Sequence, residues 1–133
     1  MAQYIASARS NYFQVKDPNA LRRELGDFDI EVRNDDPENP NRVVLLCDSE
    51  YGSWPSWRYD EQAADDVELD VAALVAGHLT PGEVAVLIES GAEKLRFIGG
   101  YAVAVNSSGD QVHLSLEEIY ERAKPLGEHI ARI

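Results

Sequence analysis

A single cysteine, Cys47, is all the thiol chemistry in 133 residues, so no disulfide closes within the chain and the expected setting is reducing and cytoplasmic. Its apolar neighbours in LLC point to a structural thiol, and Asp48 and Glu50 would oppose the thiolate that a nucleophile needs. No apolar run approaches the ~20 residues of a membrane span. The opening MAQYIASARSNYF has no uninterrupted apolar stretch, so a secretion signal is not expected. Histidine is scarce too. His78, His113 and His129 have neither helical i, i+4 spacing nor an adjoining ligand, which argues against a metal site. There is no G-x-S-x-G, no G-x-G-x-x-G and no Gly-Lys-Ser/Thr, so the common hydrolase and nucleotide signatures are missing. The expectation is a protein without cofactor, metal or catalytic residues.

Cations are the largest deficit: 12 Lys and Arg stand against 24 Asp and Glu, for a net charge of −12. The imbalance is concentrated. Between Asp27 and Asp70 lie 14 acids and only Arg33, Arg42 and Arg58, so this window holds −11 of the total. Such a surface repels nucleic acid and anionic lipid and attracts basic protein surfaces. Within it, SWPSWRYDEQAADDVELD sets Trp54 and Trp57 beside Asp60, Glu61, Asp65, Asp66, Glu68 and Asp70. These eight residues form the candidate protein-binding site: an aromatic anchor, stiffened by Pro55, inside a negative rim. The alternative is that the indoles fold back onto the core while the acids are a solvated face. The acids do not spell a calcium loop, which needs glycine at position six and glutamate at twelve.

A hydrophobic fraction of 44% and this length fit one α+β domain over 1–133, with an acidic loop or helix region at 27–70. Tyr4–Val15 reads as extended, with Tyr12, Phe13 and Val15 as its strand. In DPNALRRELG, Asp17 caps a helix, Pro18 opens it and Gly26 ends it. Residues 29–33 and 42–47 are strands around the turn-rich NDDPENPN. Asp70 caps a second helix from Val71 to His78 or Leu79. EVAVLIES is a strand, GAEK a turn, Leu95–Ile98 the return, and Gly99-Gly100 a bulge or close backbone approach. Tyr101–Asn106 and Gln111–Leu114 are strands about SSGD, and Ser115 with Glu118 makes a capping box for a helix to about Lys124. The order is roughly β-α-β-β-α-β-β-β-α. Sequential strands on short turns must be antiparallel, giving a sheet of five to six strands with two to three helices on one face. The start also permits a ferredoxin-like arrangement.

SARSNYFQVKD at 7–17, GAEKLRFIGGYAVAVN at 91–106 and SLEEIYERA at 115–123 resemble a largely uncharacterised family of small acidic proteins encoded on phages, plasmids and integrated mobile elements. The likeness covers both ends of the chain, and the middle by acidic composition and an aromatic. What it implies is context. Accessory proteins of mobile elements often neutralise host defences, several of them as acidic mimics of DNA.

The expected function is therefore non-enzymatic: an anti-defence accessory protein whose carboxylates stand in for phosphates on a basic, nucleic-acid-binding host protein. Two alternatives stay open. One is a small adaptor that dimerises through its sheet edge, its acids only conferring solubility. The other is a small enzyme with a cleft using a carboxylate and His78 or His113. Direct nucleic-acid binding and membrane association are not expected.

Overall fold

In the computed structural model, residues 3–60, 62 and 64–132 are described; the side chains of 57–60, 66 and 67 fall outside that description. The fold is α+β, built on a seven-stranded sheet in which all the pairings are antiparallel. Its strands are β1 (Ile5–Ser10), β2 (Phe13–Gln14), β3 (Ile30–Arg33), β4 (Arg42–Cys47), β7 (Val84–Glu93), β8 (Phe97–Asn106) and β9 (Gln111–Ser115). Two further strands, β5 (Trp57–Asp60) and β6 (Asp65–Glu68), form a separate hairpin. The main sheet has one strand more than the upper expectation. β4 lies between β1 and β3 and β7 on the far side of β1, so β1-α1-β3-β4-α2-β7 has the strand order of the ferredoxin-like split βαβ that the sequence permits, extended by β8 and β9.

β4 carries β3 on one side and β1 with β2 on the other; β7, β8 and β9 follow outward from β1. Arg9 pairs with Leu46 but Phe13 with Val43, so the first strand gains one residue between them. That bulge reverses the side-chain alternation: Ser10 points inward before it, Phe13 and Val15 after it. The backbone groups it leaves are met by side chains. Ser10 Oγ accepts from the Leu45 amide at 2.8 Å. The Asn11 amide accepts from Val86 N at 2.8 Å and donates to Val84 O at 3.1 Å.

Helix α1 (Pro18–Leu25) begins as the sequence predicts, with Asp17 Oδ1 accepting from the Asn19 amide at 3.0 Å. It buries Leu21 and Leu25 fully, worth roughly 1.5–3 kcal/mol each. Helix α2 (Val71–Ala76) is capped by Asp70, which accepts from Ala73 N at 3.1 Å, and ends two residues short of His78. Both helices pack into one core with Phe13, Val15, Val43, Leu45, Leu87 and Val105. They cover one end of a single sheet face. At the other end a loop, 48–56, lies over β1 and β7. The capping box forms in part, with Glu118 Oε2 accepting from Ser115 N at 2.7 Å. Helix α3 (Glu118–Arg122) is shorter than expected and buries none of its residues.

Candidate functional site

The acidic window is not one loop or helix but is spread over several segments: the edge strand β3 with its flanking turns, interior β4, the 48–56 loop, and the β5–β6 hairpin, whose base reaches β8 and β9. β3 is the outermost strand on its side of the sheet. Glu31 lies on it, Asp35, Asp36 and Glu38 follow its end, and Asp27 and Asp29 precede its start. Asp48 joins them, its amide donating to Asp29 O at 2.7 Å. Of the acids between 27 and 70 with described side chains, Asp36 is half-buried and the rest are exposed. Arg33 offsets part of this field, bridging Glu31 at 3.1 Å and reaching Asp35 at 4.0 Å. Hydrogen bonding to Glu31 raises the Arg33 pKa further still.

The β5–β6 hairpin approaches the 3-10 turn at Gly26–Phe28 through β5, while its base at Glu68 and Asp70 lies toward β8 and β9. It is closed at its base by Leu69 N donating to Ser56 O at 2.8 Å. Its register sets Trp57 opposite Glu68, Tyr59 opposite Asp66 and Asp60 opposite Asp65. Asp65, Glu68 and Asp70 are exposed. Glu61 lies outside the described residues, as do the side chains of Trp57, Asp60 and Asp66. Asp70 is partly committed already, as the cap of α2.

Trp54 is not a freely projecting anchor. It is half-buried against the core, its indole N–H donates to Ile88 O at 3.3 Å, and its backbone N–H donates to Glu89 at 2.8 Å. One side of it still lines a cleft of about 290 Å³. Glu68 and Asp70 form one wall of that cleft, Gln111 and His113 the other, and Tyr101 part of the floor. His113 Nε2 lies 2.8 Å from Gln111 Oε1.

Beside Tyr101 is Glu89, a carboxylate with only 6% exposure. Among the described residues no cation bonds to it; three donors do. Oε1 accepts from Trp54 N at 2.8 Å and from the Tyr101 hydroxyl at 3.4 Å, and Oε2 from the Tyr4 hydroxyl at 3.2 Å. Partial burial first, and the Glu89 charge second, push the Tyr101 phenol up to about 12; the same causes raise Tyr4. Both phenols are thereby kept as neutral donors. Glu89 was missed in the sequence reading, although a signal was present. In EVAVLIES it holds the inward position shared by Ala85 and Leu87, where a lone carboxylate must find donors.

His78 pairs with Glu24 at 3.2 Å, away from this cleft. Cys47 is half-buried and donates to Ser53 O at 3.0 Å, tying down the loop that carries Trp54. Among the described residues no three of His, Cys, Asp and Glu are grouped to hold a metal, and no helix is long and apolar enough to cross a membrane. No family model, curated protein or solved structure matches the chain.

Proposed function

We propose that this is a non-enzymatic acidic binding protein that takes a basic, nucleic-acid-binding protein surface along its β3 edge and β5–β6 hairpin, with carboxylates in the place of phosphates. The observation that carries the reading is the clustering of Asp29, Glu31, Asp35 and Asp48 as exposed groups at the β3 edge, with Asp65 and Glu68 exposed on the hairpin. A contiguous field of one sign steers an oppositely charged partner and discriminates against nucleic acid. The cleft adds a place for one cationic side chain. Trp54 and Tyr101 offer ring surface, and Glu68 and Asp70 offer charge, a combination that fits an arginine or lysine of the partner. The resemblance to acidic mobile-element proteins supports a host-defence nuclease as that partner.

Tyr101 keeps its proton at physiological pH and donates it in a hydrogen bond to Glu89. The test is competition between this protein and a short DNA duplex for a nuclease that binds DNA non-specifically. Displacement of the duplex is expected at low salt, weakening as added salt shortens the screening length from about 10 Å at 0.1 M. No displacement at any salt concentration, across several such nucleases, would defeat the reading.

A further inference from the structure

The sheet face opposite α1 and α2 is covered by Leu116 and the start of α3 at Gly100 and Ile98 and carries little elsewhere. Alternation along the ladders places on that face Ile5, Ser7 and Arg9 of β1, and Val84, Val86, Ile88, Ser90 and Ala92 of β7. It adds Ile98, Gly100, Ala102, Ala104 and Asn106 of β8, then Val112 and Leu114 of β9. In a chain with net charge −12, these four strands put no carboxylate there, and Arg9 is their one charge. The large apolar side chains are open to solvent: Val112 is 73% exposed, Ile5 65%, Leu114 51% and Ile88 47%. With Val84, Ile98 and Leu116, seven aliphatic residues at roughly 100 Å² each come to about 700 Å². That exceeds the ~300–600 Å² of an ordinary monomer's largest patch, and its β8–β9 part is what a second copy would cover.

We propose that this face is a homodimer interface, a second copy of the chain packing sheet against sheet over β8 and β9, with the β7 ridge flanking the contact. Its relief is self-complementary. Ala102 and Ala104 make a trough along β8, closed at Gly100 by Leu116, between a ridge of Val86 and Ile88 on β7 and a ridge of Val112 and Leu114 on β9. Part of the trough is an apolar groove of about 180 Å³, lined by Ile88, Gly100, Ala102, Leu114 and Leu116. A two-fold axis between β8 and β9 sets each copy's β9 ridge into the other's β8 trough, the isologous contact expected of a dimer.

Charge favours a second copy as the occupant. β3 lies at the opposite side of the sheet, four strands from β8, or roughly 20 Å at ~4.8 Å per strand. That is more than two screening lengths at physiological salt, so two chains repel weakly in this orientation and strongly in others. A basic partner, by contrast, gains nothing from a surface without carboxylates. The two acidic edges then point outward, one at each side of the dimer.

Sedimentation equilibrium of the full chain at tens of micromolar is the test. The expected mass is twice 14.8 kDa, persisting in high salt, where contacts made through the acidic edge would weaken. Ile88→Lys and Leu114→Lys each insert two unpaired ammonium groups across the two-fold axis. Each should raise the dimer dissociation constant about 100-fold or more, with the far-UV circular dichroism unchanged because both positions are half exposed in the monomer. Ile88 is two strands from the free edge of β9, so pairing of β9 edges would survive Ile88→Lys. A monomer at these concentrations, or a dimer indifferent to both substitutions, overturns the proposal; nuclease competition is read separately, because monomer and dimer alike present the acidic edge.

Discussion

Glu89 and Tyr101 stand directly opposite one another on β7 and β8, and the Tyr101 hydroxyl donates to the Glu89 carboxylate at 3.4 Å. The contact makes the phenol harder to ionise in the folded chain, at about 12 against the ordinary 10.0. A folded-state value above the unfolded one means that its contribution to stability is complete below pH 10 and is lost as pH rises toward 12. Alkaline unfolding, followed together with tyrosinate absorbance, should begin in that interval. Tyr101→Phe should flatten the dependence there, and an unchanged pH profile in that variant would remove Tyr101 from the account.

The Glu89 carboxylate matters for the donors it satisfies more than for its charge. Glu89→Gln keeps an acceptor for Trp54 N–H and should cost less than about 1 kcal/mol in urea unfolding, since it also ends the burial of an uncompensated charge. Glu89→Leu leaves the Trp54 amide and two phenols without their acceptor and should cost about 2–4 kcal/mol. Equal losses in both variants would contradict this division.

The loop carrying Trp54 hangs on Gly52. Its φ of +83° is in the left-handed region, and an added Cβ would stand 1.7 Å from Ala6 O, at the point where Ala6 N donates to Tyr51 O. Gly52→Ala cannot relax without lifting the loop off β1. A loss of about 3 kcal/mol or more is expected, with a red shift of tryptophan emission as Trp54 gains solvent.

Much of the frame was legible because its punctuation was local. Asp17, Pro18 and Gly26 fix α1, Asp70 starts α2, and the prolines of NDDPENPN separate β3 from β4. β1 was not legible as the main first strand. Ala6, Ala8 and Ser10 are small so that Glu89 and the 48–56 loop fit above them, and small residues erase the apolar alternation that marks a strand. Gly91 misled for a similar reason. It reads as a turn, yet β7 runs on through Glu93 and the turn comes at 94–96. A Cβ at Gly91 would meet the Tyr4 ring at 2.7 Å, so the glycine serves close packing. Gly99-Gly100 likewise makes no bulge: both pair in register, and Gly100 admits Leu116. The β5–β6 hairpin was hidden by its charge, because Asp60, Asp65, Asp66 and Glu68 break up any apolar alternation in its sequence.

At the bulge, side chains replace a stretch of ladder. Asn11→Ala would orphan Val86 N and Val84 O at the point where β1 leaves β7. A destabilisation of about 1–3 kcal/mol is expected, with faster amide exchange at Val86 than in the rest of β7. Asn11→Asp keeps the acceptor for Val86 N but loses the donor to Val84 O, so an intermediate cost should separate the two bonds.

Salt should move stability and partner binding in opposite directions. Asp29, Glu31 and Asp48 are exposed acids close together at the β3 edge, and their mutual repulsion opposes folding. Added salt screens that repulsion and should raise the melting temperature, while it weakens attraction to a basic surface. Asp29 isolates the effect, because it also holds a left-handed backbone conformation with φ of 59°. Asparagine tolerates that conformation, so Asp29→Asn removes charge without adding strain. The variant should gain about 0.5 kcal/mol in low salt, lose the gain in high salt, and compete less well for a basic nuclease. If Asp29→Asn were destabilising in low salt, the acids at this edge would be making favourable local contacts, and a field of mutually repelling groups held ready for a partner would be the wrong description of it.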